Sequence, residues 1–394
     1  MPDHYDAIIV GGRLAGASTA MLLARAGLRV LVAERARYGS DTLSTHALMR
    51  AGVIQLSRWG LLNEIDAAGT PAVRTTTIRY GDTEAIIDIK PMPHCPALYA
   101  PKRRLLDRVL ADAAVRAGAD VRFRTRVNHL LRDADGAVIG AEIDDRDGGQ
   151  RDVFAPITIG ADGSRSLVAS TVGAPVYAEG AHATAFIVGY WSGVEAEGYQ
   201  WLYADGGAAG VIPTNDGQLC VWTGIPHTEF PDVRALPDHG FRAGLARVAP
   251  DWLARLDAGA QHGPLRAFPG MPGYLRQPAG PGWALVGDAG YFKDPITAHG
   301  MTDALRDAEL LAGAVVDGLG GAADLPTAMA RYRDTRDRLS REVFELGDRV
   351  SAYDWDMNDL RELLVAMSEG MRGEVAHLGA LEPLADQTRA LLDA

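Results

Sequence analysis

The sequence predicts a mixed α/β fold: a βαβ dinucleotide-type domain interlocked with an antiparallel sheet, followed by a helical C-terminal region. Three observations carry this. The N-terminal residues up to Glu34 run strand, glycine turn, helix, strand. Strand patterns without intervening helices fill Ala183 to Pro226, and from Leu325 onward the pattern is helical. The chain of 394 residues is 47% hydrophobic and 23% charged, enough for a large core, and 45 Gly with 21 Pro supply the turns of such a fold. The 51 acidic and 39 basic residues give a net charge of −12, a field that repels nucleic acid and anionic membrane. Two cysteines, Cys95 and Cys220, offer no metal-ligand spacing and suit a reducing compartment. No basic region precedes the first apolar run, and the stretch Leu14 to Ala33 is broken by Arg25 and Arg29. A soluble, cytoplasmic protein is therefore expected.

The elements follow in order. Tyr5 to Val10 is a strand, Gly11-Gly12-Arg13-Leu14-Ala15-Gly16 a turn, the Ala/Leu run to Gly27 a helix, and Leu28 to Glu34 the second strand. This is a Rossmann-type unit. Ala100 to Ala117 has helical periodicity, ends at Gly118 and leads into a strand from Asp120 to Arg126. Strands Ala137 to Asp144 and Val153 to Ile159 flank a turn at Asp147-Gly148-Gly149. The antiparallel part comprises Ala183–Trp191, Tyr199–Tyr203, Gly207–Pro213 and Gln218–Ile225, the last two joined at Asn215-Asp216-Gly217. Trp283–Val286 is a short buried strand and Thr302–Leu319 a helix. With no break in composition, the second domain is inserted into the first.

Gly11 and Gly16 suit a backbone that bends tightly and approaches a pyrophosphate at a helix start. Arg13 replaces the middle glycine of the pattern and can bring a guanidinium to the phosphates. Glu34, 23 positions after Gly11, ends the second strand where a carboxylate can accept both hydroxyls of an adenosine ribose, with Arg35 beside it.

The run Ala284-Leu285-Val286-Gly287-Asp288-Ala289-Gly290, then Asp294-Pro295-Ile296-Thr297-Ala298-His299-Gly300-Met301-Thr302, resembles a segment of FAD-dependent class A, p-hydroxybenzoate hydroxylase-like flavoprotein monooxygenases. The resemblance implies a glutathione-reductase-like FAD-binding domain in which Asp288 binds the ribityl chain and Pro295 lies over the isoalloxazine. It also implies that the helix start at Gly300, Met301 and Thr302 faces the flavin N1/O2 edge. Ala298 stands where glycine is usual. Three shorter runs are similar to the same family: Gly160-Ala161-Asp162-Gly163, whose usual closing arginine is Ala169 here; Met49-Arg50-Ala51-Gly52, whose Arg50 reaches the diphosphate; and Arg103-Arg104-Leu105-Leu106-Asp107, whose Arg104 sits where the family places an adenosine-side contact. The expected domains are FAD-binding at 1–75, 100–175 and 276–325, a substrate-binding sheet at 76–99 and 176–275, and a C-terminal helical region at 326–394.

His299 is expected beside the flavin; His46 either faces the flavin or substrate entrance or is a hydrogen-bonded loop histidine. Ser44-Thr45-His46 belongs to no hydrolase elbow. Trp201, Tyr203 and Trp222, with Val211 and Pro213, form the expected pocket wall, and Trp191 ends a further strand. These aromatics either line a cavity or are core. As a cavity wall, with no Arg or Lys in the strands Tyr199–Tyr203, Gly207–Pro213 and Gln218–Ile225, they predict a flat, largely apolar substrate. No metal is expected.

The resemblance implies a monooxygenase: NAD(P)H reduces FAD, O₂ adds at the flavin C4a position, and the hydroperoxide oxygenates the substrate. The alternative is a reductase or dehydrogenase of the related geranylgeranyl reductase type, acting on a carbon–carbon bond. A halogenase would need a tryptophan-rich W-x-W-x-I-P stretch, which Gly210-Val211-Ile212-Pro213 lacks, and a catalytic lysine; the only lysines are Lys90, Lys102 and Lys293. The implied partners are a small molecule and O₂, with neither nucleic acid nor membrane; a homodimer is allowed.

Overall fold

A computed structural model of the chain describes residues 3–145 and 148–381, so Asp147 of the expected turn and the stretch 382–394 of the expected helical region lie outside the described residues. The N-terminal strand Ala7–Val10 is buried along its whole length, as a central parallel strand must be. It pairs in parallel with Val30–Glu34 on one side and Thr158–Gly160 on the other; Asp120–Phe123 and Trp283–Leu285 extend the sheet, and Ala279–Gly280 closes one edge. Alternate residues point to opposite faces. Ala7, Ile9, Val30 and Val32 pack with the helices Leu14–Arg25, Arg103–Arg116 and Gly300–Leu319. Ile8, Val10, Leu31 and Ala33 pack with Val127, Ala141, Ile143 and Val153 of a second sheet, ordered Asp3–His4, Gly149–Phe154, Val138–Asp145 and Thr125–Arg132.

Two expected strands are each divided in two. Asp120 to Arg126 breaks at Arg124, whose φ of +59° turns the chain from the parallel sheet into Thr125–Arg132. The run Val153 to Ile159 likewise serves two sheets, through Gly149–Phe154 and Thr158–Gly160.

The antiparallel region forms a larger sheet: Ala260–Gln261, Thr184–Ser192, Gln218–Pro226, Gly207–Thr214, Tyr199–Ala204, Thr75–Tyr80 and Thr83–Asp88 in order, with Arg266–Phe268 also on Thr184–Ser192. The expected tight turn is present, Asp216 and Gly217 having φ of +66° and +62°. The hairpin Thr75–Tyr80/Thr83–Asp88 was not predicted. Its two-residue tip, Gly81-Asp82, is a hairpin turn signal, but its outer strand is almost wholly exposed and lacks the apolar alternation that marks a half-buried strand. Helices Pro237–Val248 and Pro250–Asp257 cover the outer face through Phe241, Leu245 and Trp252.

The inner face carries Phe186, Val188, Tyr190, Tyr199, Trp201, Tyr203, Ile212, Cys220 and Trp222 toward the main core. Helices Leu325–Val350 and Met357–Gly379 complete the described C-terminal region. The intervening segment crosses this inner face, with Trp355 edge-on to Tyr203 at 6.4 Å. Both cysteines are buried and unpaired. Among the described residues no helix is long and apolar enough to cross a membrane.

Candidate functional site

The turn after the first strand is built around positions that tolerate no side chain. Gly11 has φ +100°, and a Cβ there would lie 2.5 Å from the Ala161 carbonyl oxygen; one at Gly16 would overlap the Gly11 carbonyl. Glu34 aims its carboxylate at this turn, accepting from Gly12 N at 2.7 Å through one oxygen and from Ala36 N at 2.7 Å through the other. A small cleft here is lined by Gly12, Glu34, Arg37, Tyr38, Asp107 and Arg108. Helix Leu14–Arg25 starts with no side-chain cap from its N-cap residue and no acid in its first turn, and the Asp107 carboxylate lies against its first N–H, at Leu14. Arg13, its N-cap residue, reaches Ser40 Oγ at 3.4 Å and Asp41 O at 3.3 Å. Arg35 is exposed.

The two neighbouring arginines differ from expectation. Arg104 is 57% exposed and paired at 2.7 Å with Asp216, which also holds Lys102. Arg103 instead points inward. It grips Asp107 at 3.0 Å, and its charge acts on both Asp288 and His46. One position along a helix turns a side chain by about 100°, and the periodicity of Leu106, Val109 and Leu110 would have placed Arg103 inward. Arg50 opens helix Arg50–Arg58 and donates to the Lys90 carbonyl at 2.9 Å.

Asp288 occupies a single 3₁₀ turn, Gly287–Ala289, between the starts of two helices: a Cβ on adjacent Gly287 would touch Ala15 at 2.9 Å and Ala304 at 3.5 Å. Burial raises its carboxyl to about 6, against the pull of Arg103 and assisted by Asp303 and Asp307. Pro295 begins a turn capped by Asp294, whose buried carboxylate accepts from Ile296 N at 2.8 Å and from Thr184 N of the large sheet at 2.6 Å. Burial lifts this carboxyl to about 7, the two N–H donors opposing the rise. Ala298 has φ +48°, the left-handed region where glycine is usual. Gly300 opens helix Gly300–Leu319, which also lacks a side-chain cap; Met301 lies 3.8 Å from Ser44 Oγ, and the Thr302 hydroxyl accepts from Met49 N at 3.2 Å. Asp162 spends its carboxylate locally, accepting from Ser166 Oγ and Leu167 N, each at 2.6 Å.

His46 is fully buried at φ +65°, its Nε2 2.5 Å from the Tyr190 hydroxyl and its Nδ1 without a partner. Burial pushes it down to about 3, helped by Arg103, Lys102 and Arg266, so the ring is neutral at physiological pH. His299 is buried too, but its Nε2 turns to Glu374 of the C-terminal helix at 2.5 Å. Trp201, Tyr203 and Trp222 share the inner face as expected, with Trp201 and Trp222 6.3 Å apart and Phe186 edge-on to Trp222 at 5.2 Å. Val211 and Pro213 do not. Strand alternation sends Val211 to the outer face against Phe241 and Leu245, and Pro213 points the same way, lining an outer groove with Leu219 and Arg255. Trp191 also faces outward, stacked on Phe241 at 4.9 Å. Sequence reasoning missed Tyr190 and Phe186, which the same period-two pattern places on the inner face. It also missed Tyr353 and Trp355, for which no local signal exists.

The parts are a glycine turn with a small cleft beside it, a carboxylate at the second strand end, two helix starts without side-chain caps, and a half-buried aspartate, Asp288, whose charge is costly until it is hydrogen-bonded. An elongated cofactor with a ribose, a diphosphate and polyhydroxyl chain fits this donor and acceptor set, and FAD is such a molecule. The fold and these residues point to a flavin-dependent oxidoreductase. The chain belongs to the FAD binding domain family, whose match spans residues 4–346. Digeranylgeranylglycerophospholipid reductase 1 of Methanopyrus kandleri is 27% identical over 380 residues, covering 93% of this chain and 94% of that protein. Tetracenomycin B2 monooxygenase-dioxygenase of Streptomyces olivaceus is 28% identical over 390 residues, covering 89% and 70%. The fold is similar to that of PqsL, a probable FAD-dependent monooxygenase from Pseudomonas aeruginosa, with a TM-score of 0.78 and 22% identity over 92% of this chain and 100% of that one.

Proposed function

We propose that this enzyme is an NAD(P)H-dependent FAD monooxygenase that oxygenates a flat, largely apolar small molecule of aromatic or polyketide-like character. The single observation that supports the reading is the inner face of the large sheet, where Trp201, Trp222, Phe186, Tyr199 and Tyr203 pack as one aromatic cluster within the main core. Aromatic walls stack on rings and contribute no charge. In this reading residues 1–75, 100–175 and 276–325 bind FAD, 76–99 and 176–275 cover the substrate, and the region from 326 onward closes the cavity. Gly11, Arg13, Gly16, Glu34 and Arg103 would hold the adenosine diphosphate part, Asp288 the ribityl chain, and Pro295, Gly300, Met301 and Thr302 the ring. Bound FAD would supply electron transfer from NAD(P)H and activation of O₂. The chain's own residues do the rest. The aromatic wall orients the substrate, Tyr353 and Trp355 exclude water from below, and neutral His46 holds the Tyr190 hydroxyl in place through Nε2.

The second reading, a reductase acting on a carbon–carbon bond, draws support from the extent of the match to the Methanopyrus kandleri reductase. Turnover under ¹⁸O₂ with NAD(P)H separates the two. One heavy oxygen in the product supports the monooxygenase; an unlabelled product changed only by two hydrogens overturns it and establishes the reductase.

A further inference from the structure

The chain enters the large sheet after Val176–Glu179 and returns from it at Tyr274–Arg276; these two strands and Tyr291–Phe292 form a small three-stranded sheet at the crossing. Gly180 N donates to the Gly273 carbonyl at 2.8 Å, which holds the outgoing and returning segments side by side. A Cβ on Gly273 would lie 3.3 Å from the Cα of Lys293, so the crossing packs tightly against the segment that leads to Asp294. The Asp294 carboxylate spans this junction. One oxygen accepts from Ile296 N at 2.8 Å, inside the Pro295 turn, and the other from Thr184 N at 2.6 Å, at the first residue of the strand Thr184–Ser192. Asp294 is 3% exposed and Thr184 is fully buried.

The neighbouring charges do not neutralise this carboxylate. Lys293, next in the chain, is bound to Asp303 at 2.8 Å. On helix Leu325–Val350 the facing group is Asp348, itself an acid, which raises Asp294 further and is held by His182, through N at 2.9 Å and Nδ1 at 3.2 Å. Tyr353, just beyond that helix, stays a neutral phenol because burial raises it. From the sheet side Thr184 supplies its N–H, which with Ile296 N opposes the rise. An anion held by N–H donors alone carries a desolvation cost while the sheet is seated, and water removes that cost if the sheet swings away. The sign follows. A carboxyl that titrates at about 7 while buried and at an ordinary 3.8 once solvated favours the seated arrangement in acid, and that advantage is lost as pH rises to 7.

We propose that Asp294 is a positioning residue: its carboxylate fastens the Pro295 turn to the first strand of the large sheet, so that the two sides of the site form a hinge that opens more readily in alkali than in acid. Opening separates Thr184 from the turn and brings the carboxylate into water. A carboxylate can hold both N–H groups at once because each of its oxygens accepts, which an amide side chain cannot do. The meaning for catalysis rests on the reading that Pro295 borders the ring and the large sheet covers the substrate; the hinge itself stands without it.

The test is hydrogen exchange of the full-length protein, with and without FAD, read by mass spectrometry with residue-level fragmentation and corrected for the pH dependence of the chemical step. Between pH 5 and pH 8 the opening constant at the Thr184 amide should rise on the order of 10- to 100-fold in the wild type. Asp294→Asn, uncharged and of the same shape, should show no such rise. A level constant in the wild type, which is measured whether or not the variant folds, overturns the proposal. So does a rise that persists in Asp294→Asn, since it then belongs to neighbouring groups such as His182. A protein that takes up no FAD overturns the cofactor reading instead, and exchange in the FAD-free chain still decides the hinge.

Discussion

Asp288→Asn should stabilise the FAD-free protein at alkaline pH while weakening its hold on FAD. The carboxyl titrates at about 6 in the folded protein against an ordinary 3.8, chiefly because burial disfavours its charge. A folded-state value raised above the unfolded one means that stability is full below the unfolded value and is lost as pH rises through the folded value. The shift of about two pH units corresponds to about 3 kcal/mol at about 1.4 kcal/mol per unit. Roughly half of that loss has appeared by pH 5, so the stability difference between Asp288→Asn and the wild type should grow by about 1.4 kcal/mol between pH 5 and pH 8. Asparagine does not titrate, and any packing difference between the two side chains is the same at both pH values. Urea unfolding of the FAD-stripped proteins at the two pH values measures the difference, and Asp294, raised in the same direction, cancels between them. FAD affinity should fall about 10- to 150-fold, the equivalent of a lost charge-assisted hydrogen bond of about 1.5–3 kcal/mol. A stability difference that stays flat with pH would refute the reasoning, because Asp288 would then carry no burial penalty for the cofactor to relieve.

Arg103→Ala should lose FAD in gel filtration while Arg104→Ala retains it, since only Arg103 points inward, to Asp107 and Asp288; equal retention would return the assignment to the surface pair. Trp222→Ala, emptying a site 1% exposed, should cost about 3–5 kcal/mol of stability in a denaturant titration. The less buried Trp201→Ala should fold normally and bind aromatic ligands more weakly, as read by flavin absorbance changes. His46, pushed down to about 3, should show a neutral imidazole in ¹⁵N spectra at every pH from 5 to 8, and a titration near 6.5 would contradict its burial. Ala298→Gly should raise stability by up to about 1 kcal/mol in thermal unfolding by relieving the left-handed φ, a gain that disappears if the turn relaxes in solution.

The legible half of the protein is the half encoded by neighbours in sequence. Gly11, Gly16, Glu34, Asp288 and Pro295 lie in turns or at the adjoining strand and helix ends, where the chemistry is local, and a strand–turn–helix pattern places them. Val211 and Pro213 went to the wrong face although period-two alternation, counted from Gly210 opposite Trp222, fixes them on the outside. Arg103 and Arg104 differ only in helical phase, which the apolar positions of the same helix record. The His299–Glu374 bond and the Trp355–Tyr203 contact join residues far apart in the chain, and nothing near either partner announces the other.

The central parallel sheet has a consequence for how the chain is made. Thr158–Gly160 is flanked by Ala7–Val10, synthesised long before it, and by Trp283–Leu285, synthesised long after. At about 5–20 residues per second, the roughly 120 residues between them take on the order of 6–25 s to emerge, and during that time one edge of the sheet has no partner. The nascent protein therefore carries an open, apolar strand edge until its C-terminal third arrives, together with the turn holding Asp288. Substitutions that slow the docking of Trp283–Leu285 should lower the yield of soluble protein even where they leave the finished enzyme intact.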